Sequence, residues 1–432
     1  MKIISFILFF TFNFISAYSE TNIIFYLEST YKNNPKLNAE RENLKAIKEN
    51  INISRAEFLP NISLSGSVDN TQSTNKTNSL GNKTADSSLK KETKTVSVDQ
   101  KLFQGFTGYN SFKKSKLEFD QANSKLKNVE QEIIFDAASV YLDLIYKEKN
   151  KVFNLANVDL FERQVESDSI RMQKGEISLT DLAQSESSLA GARANLISAE
   201  TELLSTKTNF QKITRVEAPT STEKSFNMNI NLPNSLSEAL KISQENNPRL
   251  QIAKLDHLIS KKNVNIEIAK FSPSASINYS KSENKDYSST TDEIDQEMIK
   301  ATMSWPIIKG GKNYSSIKKS KFKEKQSSLI LQDAINETKT STTNAWSLYQ
   351  SSKSVLKATE AQLKAAEIAN EGISLEYESG NSRTTLEVIQ SNTVLLNSRI
   401  NLASSERNFL ISQFNLLASV GRLTANQLKI KE

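Results

Sequence analysis

The side chains of this chain that could make or break bonds are few in kind. It has no cysteine, which removes thiolate nucleophiles, thiolate metal sites, disulfides and lipid attachment through an N-terminal cysteine. Its single histidine, His257 in KLDHLIS, lies on a helical segment and reads as a surface residue without a second histidine to share a metal. No phosphate loop, GxSxG turn or dinucleotide fingerprint occurs, and no nucleophile, base and oxyanion set can be assembled. Two short stretches instead collect glycine, hydroxyls and charge: KGEISLTDLAQSE at 174–186 and SGNSRTTLEVIQSN at 379–392. Each reads as the tip of a helical hairpin. Charged residues at helix ends are ordinarily solvated, so the chemistry on offer is non-covalent. The chain is not read as an enzyme, and no cofactor or metal is expected.

The elements that carry these tips are long. Eleven glycines and seven prolines in 432 residues are too few for a loop-rich fold. Neither residue occurs between Tyr109 and Lys174, room for a helix of roughly 100 Å at about 1.5 Å per residue. A counterpart runs from Lys312 to Glu371, with Gly372 near its end. After the first tip Leu182, Leu189, Leu196, Leu203 and Phe210 recur every seven residues, and Ser185, Ala192, Ala199, Thr206 and Ile213 follow three places behind. After the second tip Val388, Leu395, Leu402, Phe409 and Leu416 are trailed by Ser391, Ser398, Ser405, Ser412 and Ser419. A large residue at one seam position and a small one at the other predicts closely interlocked coiled coil.

The chain says everything twice. NNPKL at 33–37 returns as NNPRL at 246–250, and the match continues without a gap to Pro60 and Pro273. LFQGF…FKKSKL at 102–117 returns as IIKGG…IKKSKF at 307–322, and the tips follow in the same order. This is an internal duplication of about two hundred residues per copy. The expected organisation is a signal peptide at 1–19, a first repeat at 20–218, a linker at 219–234, a second repeat at 235–422 and a tail at 423–432. The signal reading rests on Lys2, the apolar run Ile3–Ile15 and the small residues Ser16, Ala17 and Ser19. The net charge of +6 is dispersed, without the basic, aromatic-interleaved block of a nucleic-acid binder.

Between the shorter and longer helices the hydrophobic period switches to two. Ile62, Leu64, Gly66 and Val68 alternate with serines; Val96 and Val98 alternate with Thr95, Ser97 and Asp99. Ala275, Ile277 and Tyr279, then Ile299, Ala301, Met303 and Trp305, repeat this in the second copy. The expectation is two β-hairpins, at 61–104 and 274–309, of strands about ten residues long, enough to cross a bilayer when tilted. The segments 70–93 and 281–297 read as solvated loops. Four strands cannot close a barrel, and an open edge in hydrocarbon leaves unpaired backbone groups costing several kcal/mol each. About eight strands is the known minimum, so several chains must share one barrel.

With this order of elements, the chain resembles the TolC-type outer-membrane efflux proteins over essentially the whole mature length. The carriers of the resemblance are LPNSLSEALKISQENNPRL (232–250), FLP (58–60), LFQGF (102–106), G…TDLAQS (175–185) and G…TTLEVIQS (380–391). The resemblance implies a mainly α fold with a small β part. Duplicated long α-helical hairpins and two β-hairpins per chain would build a trimeric, 12-stranded outer-membrane β-barrel continued by a periplasmic α-helical coiled-coil tunnel. It implies a homotrimer in outer-membrane lipid of a Gram-negative cell. At its tips a periplasmic adaptor (a membrane fusion protein) and an inner-membrane ABC or RND transporter would dock, for drug efflux or type I protein secretion. Six similar tips per trimer would suit a ring of adaptor hairpins, through Gly175, Glu176 and Ile177 and through Gly380, Asn381 and Ser382.

The resemblance also assigns a periplasmic gate. Thr180 and Asp181 match the Thr-Asp of the family's first tip, Tyr377 the tyrosine before the second glycine, and Arg383 lies one place from the family's arginine. An Asp181–Arg383 pair is expected to hold the tips. Glu387 matches the first acidic ring of the pore and, facing a narrow lumen, is expected to be harder to ionise. Gln390 stands where a second acidic ring would be, which weakens expected cation binding. Two other readings compete: a periplasmic adaptor, disfavoured by the two hairpins with their own strand pairs, and a secreted trimeric coiled-coil structural protein, which would leave the strands without purpose. Lys113, Lys114, Lys116, Lys318, Lys319 and Lys321 begin the long helices just below the strands, and read as a solvated face or a contact with anionic groups of the inner leaflet.

Overall fold

The computed structural model describes residues 23–219, 231–288, 290–379, 383–428 and 430. The expected signal peptide, most of the linker, and Gly380, Asn381 and Ser382 lie outside the described residues. Short helices α1 (Ile23–Asn33) and α2 (Pro35–Ala56) lead into strands β1 (Asn61–Ser73) and β2 (Ser87–Gln104). Then come the long α3 (Thr107–Gln173) and the returning α4 (Leu179–Thr214). The second copy repeats this: α5 (Leu236–Asn246), α6 (Pro248–Ala269), β3 (Ser274–Ser288), β4 (Thr291–Ser304), α7 (Lys312–Glu378) and α8 (Thr385–Ser419).

The NNP echo has a local cause. Asn34 and Asn247 are N-caps whose side-chain oxygens accept from the second and third amides beyond them, with Pro35 and Pro248 in the first turn. Proline costs nothing there, because that amide has no helical partner. The amide groups of the same asparagines donate onward, Asn34 to the Ile213 carbonyl at 3.4 Å and Asn247 to that of Ser419 at 2.9 Å. Each cap therefore ties its short helix to the end of a returning helix in its own copy.

α3 and α7 are each 67 residues long, about 100 Å at the usual rise. α7 does not stop near Gly372 but runs six residues beyond it, to Glu378. A helical glycine costs only about 1 kcal/mol relative to alanine, less than the continuing contacts return. The heptad seams are buried as expected: Leu203 and Phe210 in one, Ser398, Ser412 and Leu416 in the other. Arg407 pairs with Asp143, and Lys149 with Glu406 at 2.6 Å, so α8 is also bound to α3 across the two copies.

The main core gathers Tyr26 and Leu27 of α1, Tyr141 of α3, Phe210 of α4 and Phe414 of α8. Leu423, Ala425, Leu428 and Ile430 are buried in it. The expected tail is thus a plug for the waist of the molecule.

All four strands form one antiparallel sheet in the order β1-β2-β3-β4, with β2 and β3 joining the two copies. The register lays Ile62, Val98, Tyr279 and Ile299 in a row across one face, and Ser63, Ser97, Ser280 and Met298 across the other. The strands are 13, 18, 15 and 14 residues long, longer than the alternation predicts. Of the segments read as loops, 281–297 is mostly ladder, whereas in 70–93 the ladder takes 70–73 and 87–93 and leaves 74–86 as the connection. Backbone pairing continues past the apolar band, helped by cross-strand ion pairs such as Lys281–Glu297 and Lys285–Glu293, each at 3.4 Å. Among the described residues both edges, β1 and β4, lack a partner strand. Among the described residues no helix is long and apolar enough to cross a membrane.

Candidate functional site at the hairpin tips

Both returning helices start in the same device. Ser178 caps α4, its hydroxyl accepting from the Asp181 amide, while the Asp181 carboxylate accepts from the Ser178 amide at 2.9 Å and hydroxyl at 2.7 Å. Thr384 caps α8 in the same way, with Glu387 as the reciprocal acid. The two acids occupy the same N3 place, where a carboxylate meets otherwise unpaired amides and the positive end of the helix dipole. The Asp181 carboxyl lies below the usual carboxylate range, first because of the Ser178 hydroxyl and then of its amide. Glu387 is also held low, chiefly by the Thr384 amide and then by Arg383.

Within the single chain this differs from the expected pairing. Within the chain Asp181 and Arg383 do not pair: the aspartate is spent on its cap, and the guanidinium grips Glu376 at 2.6 Å and Glu387 at 3.0 Å. The two glutamates hold Arg383 above its ordinary pKa. Within the single chain Glu387 is easier to ionise, because donors surround it; the opposing effect expected of three such carboxylates belongs to the assembled lumen.

Beneath this exposed layer lies a buried one. Asp168 of α3 is wholly buried, a charged side chain in an otherwise apolar and hydroxyl seam. It accepts from Ser185 of α4 at 2.5 Å, from Gln164 at 3.0 Å to each oxygen, and from the Tyr377 hydroxyl of α7 at 2.8 Å. A phenol has one proton, so Thr385 of α8, 3.0 Å away, is the donor to the Tyr377 oxygen. The Arg171 guanidinium lies over the Tyr377 ring, 4.4 Å from its centroid. Burial, with Asp168 adding to it, pushes the Tyr377 hydroxyl above its ordinary pKa. α3, α4 and α7 thus meet at one carboxylate, and α8 joins them through Tyr377.

Of the residues singled out in the sequence, Tyr377 belongs to this knot, and Asp181, Arg383 and Glu387 to the layer above it. Thr180 is exposed beside the cap, and Gly175, Glu176 and Ile177 form the first turn, where Gly175 has a φ of +76° and Glu176 meets Arg171 at 3.3 Å. Asp168, Gln164, Arg171, Glu376, Ser178, Thr384 and Thr385 were not singled out. The caps carried a readable signal, S-x-x-D and T-x-x-E ahead of an apolar residue; Asp168 carried none. His257 is a half-buried residue of α6 rather than a fully exposed one, 3.8 Å from Glu324 of α7. Among the described residues no cluster of three or more acids or imidazoles could hold a metal ion.

Comparison with known proteins agrees with this architecture. The chain is 25% identical over 407 residues to the outer membrane efflux protein BepC of Brucella suis, covering 94% of this chain and 86% of that one. It is 20% identical over 433 residues to the outer membrane protein TolC of Escherichia coli, covering 96% and 85%. The fold superposes on the CmeC outer membrane channel of Campylobacter jejuni with a TM-score of 0.83, 13% identity and coverage of 94% and 86%. The family described as outer membrane efflux protein matches residues 26–214 and 239–422, one span in each copy. The chain therefore belongs to the outer membrane efflux protein family, an outer-membrane protein of the Gram-negative envelope whose helical hairpins form a periplasmic tunnel.

Proposed function

We propose that three copies of this chain form a closed conduit whose periplasmic mouth is held shut at the hairpin tips. It would receive its cargo from an adaptor and an inner-membrane transporter, as part of a drug-efflux or type I secretion machine. The observation that carries the reading is the sheet: four strands, an apolar row on one face and both edges unpaired. Two copies would give the eight-stranded minimum. Three give twelve strands and a bore wide enough for six long hairpins, and a closed ring satisfies every edge.

The gate reading is supported by the knot at Asp168. A tip is free to swing only if Tyr377 leaves that carboxylate, and an adaptor that binds the swung state better would shift the balance. Gly175, Glu176 and Ile177, together with Gly380, Asn381 and Ser382, are the proposed docking turns. Glu387, with Arg383 beside it, is the proposed charged ring at the mouth.

The test is reconstitution of the full chain. A heat-sensitive trimer that passes ions across planar bilayers is expected, with conductance raised by Tyr377→Phe. A water-soluble monomer without current would end the channel reading, and wild-type conductance in the variant would end the gate reading.

A further inference from the structure

Below the sheet the sequence changes abruptly. Between Lys309 and Lys325 it holds seven lysines and one acid, Glu324, which faces His257. None of the seven enters an ion pair among the described residues. The first copy repeats the start of this run: Lys114 pairs with Glu118 at 3.4 Å, whereas Lys113 and Lys116 have no carboxylate partner among the described residues. Nine lysines per chain are therefore without a carboxylate partner among the described residues, spread along the stretch that begins at the foot of the sheet.

The level at which that stretch begins is fixed by the register. The pairs Asn61–Asp99, Gln104–Ser274 and Ser274–Ser304 put the start of α3 and the approach to α7 at the same end of the sheet. Exposed apolar side chains cluster there, among them Leu59, Phe106, Trp305, Ile307 and Ile308. Immediately beyond them stand Tyr109 and Tyr314, 51% and 69% exposed, at equivalent places in the two copies. One helical turn further are Lys113 and Lys318, both exposed. Lys113 lies over the Tyr109 ring, Lys116 over Phe112 and Lys318 over Phe322.

Aliphatic, then tyrosine, then lysine is the order of a bilayer edge: hydrocarbon, carbonyl and glycerol, phosphate. We infer that Lys113, Lys116, Lys318 and Lys319 form, with their neighbours, a collar that binds anionic phospholipid headgroups of the leaflet facing the periplasm. The occupant is a lipid and not a soluble anion, because the basic surface is continuous with the lipid-facing sheet. Lysine on a flexible stem is suited to a mobile phosphate, and Lys113, Lys116, Lys318 and Lys319 have no carboxylate partner among the described residues to compete with it. The inference rests on the outer-membrane placement of the sheet and is independent of the gate.

The experiment uses the chain's own fluorophores. Trp305 lies at the foot of the sheet, and Trp346 is in α7, about 50 Å along the helix from Lys312 at the usual rise. Full-length trimer is reconstituted into vesicles of phosphatidylcholine mixed with brominated phosphatidylglycerol or, in parallel, brominated phosphatidylcholine. Preferential quenching by the brominated phosphatidylglycerol is expected, by roughly threefold or more in relative affinity at low salt and less at high salt. The preference should vanish in Lys113→Gln/Lys116→Gln/Lys318→Gln/Lys319→Gln and persist in the corresponding arginine variant, whose retained charge controls for assembly. Equal quenching by both lipids, or a preference unchanged by the glutamine substitutions, overturns the collar. Retention of the chain by isolated peptidoglycan, lost with the lysines while lipid preference is absent, would also overturn it. Absence of quenching by either lipid would overturn the membrane placement itself.

Discussion

The Tyr377 hydroxyl donates to Asp168 at 2.8 Å across 209 residues of sequence, joining the outgoing helices of the two copies near the tips. Removing the phenol oxygen leaves Asp168 with one donor fewer and Thr385 without its acceptor, a loss of about 1–3 kcal/mol for a buried site. Tyr377→Phe keeps the ring beneath Arg171, so the channel is expected to assemble normally and conduct more. Single-channel recording together with trimer yield separates a loosened tip from a misfolded one.

Arg383 bridges two carboxylates and offsets one of their two negative charges, so its removal and that of Glu387 should act in opposite directions. Glu387→Ala lowers the negative charge at the mouth and is expected to weaken block of the current by multivalent cations. Arg383→Gln unmasks Glu376 and Glu387 and is expected to strengthen it. Blocking concentrations from bilayer recordings check both signs, and a common direction for the two variants would place these groups away from the ion path.

The caps predict acid sensitivity. Asp181 and Glu387 both have depressed folded-state pKa values. Such a group stabilises fully above its unfolded pKa, near 4, and the contribution disappears as pH falls through the lower folded value. Both tips should therefore fray below about pH 4 and be firm at neutrality. Amide exchange at the starts of α4 and α8, corrected for intrinsic rate, is the measurement. Ser178→Ala and Thr384→Ala should cost about 0.5–2 kcal/mol each and flatten the acid response.

Two glycines with positive φ are not equivalent to a third. A Cβ on Gly421 would stand 2.4 Å from the Asn246 carbonyl oxygen, and one on Gly105 2.6 Å from that of Ala269. At Gly175 nothing lies within 4 Å. Gly175→Ala should cost only the roughly 1–2 kcal/mol of a left-handed backbone. Gly421→Ala and Gly105→Ala should cost more, because backbone must move. Thermal dissociation of the trimer orders the three.

Much of this was legible in the sequence because it was written twice. NNP, the heptads and the glycine punctuation each follow from local rules: an asparagine cap with proline behind it, a large–small seam, a turn. The strand ends were not legible, since alternation marks only the band where one face meets lipid, and the ladder continues where both faces are wet. Asp181 and Glu387 are visible as charges, but they read as half of a pair across the tips and as a pore ring, not as the reciprocal acids of helix caps. Asp168 lay beyond reach for a different reason. A charged residue in a coiled-coil seam reads as solvated until the tyrosine that satisfies it, in the other copy, is brought beside it by the fold.

The bare edges of the sheet also bear on how the molecule reaches its place. A chain with half-made walls has nothing to gain from entering lipid alone, so insertion and assembly become a single concentration-dependent event. Dilution should stall both together, and the waiting protomers, with two sticky strands apiece, would need an escort through the aqueous space on the way.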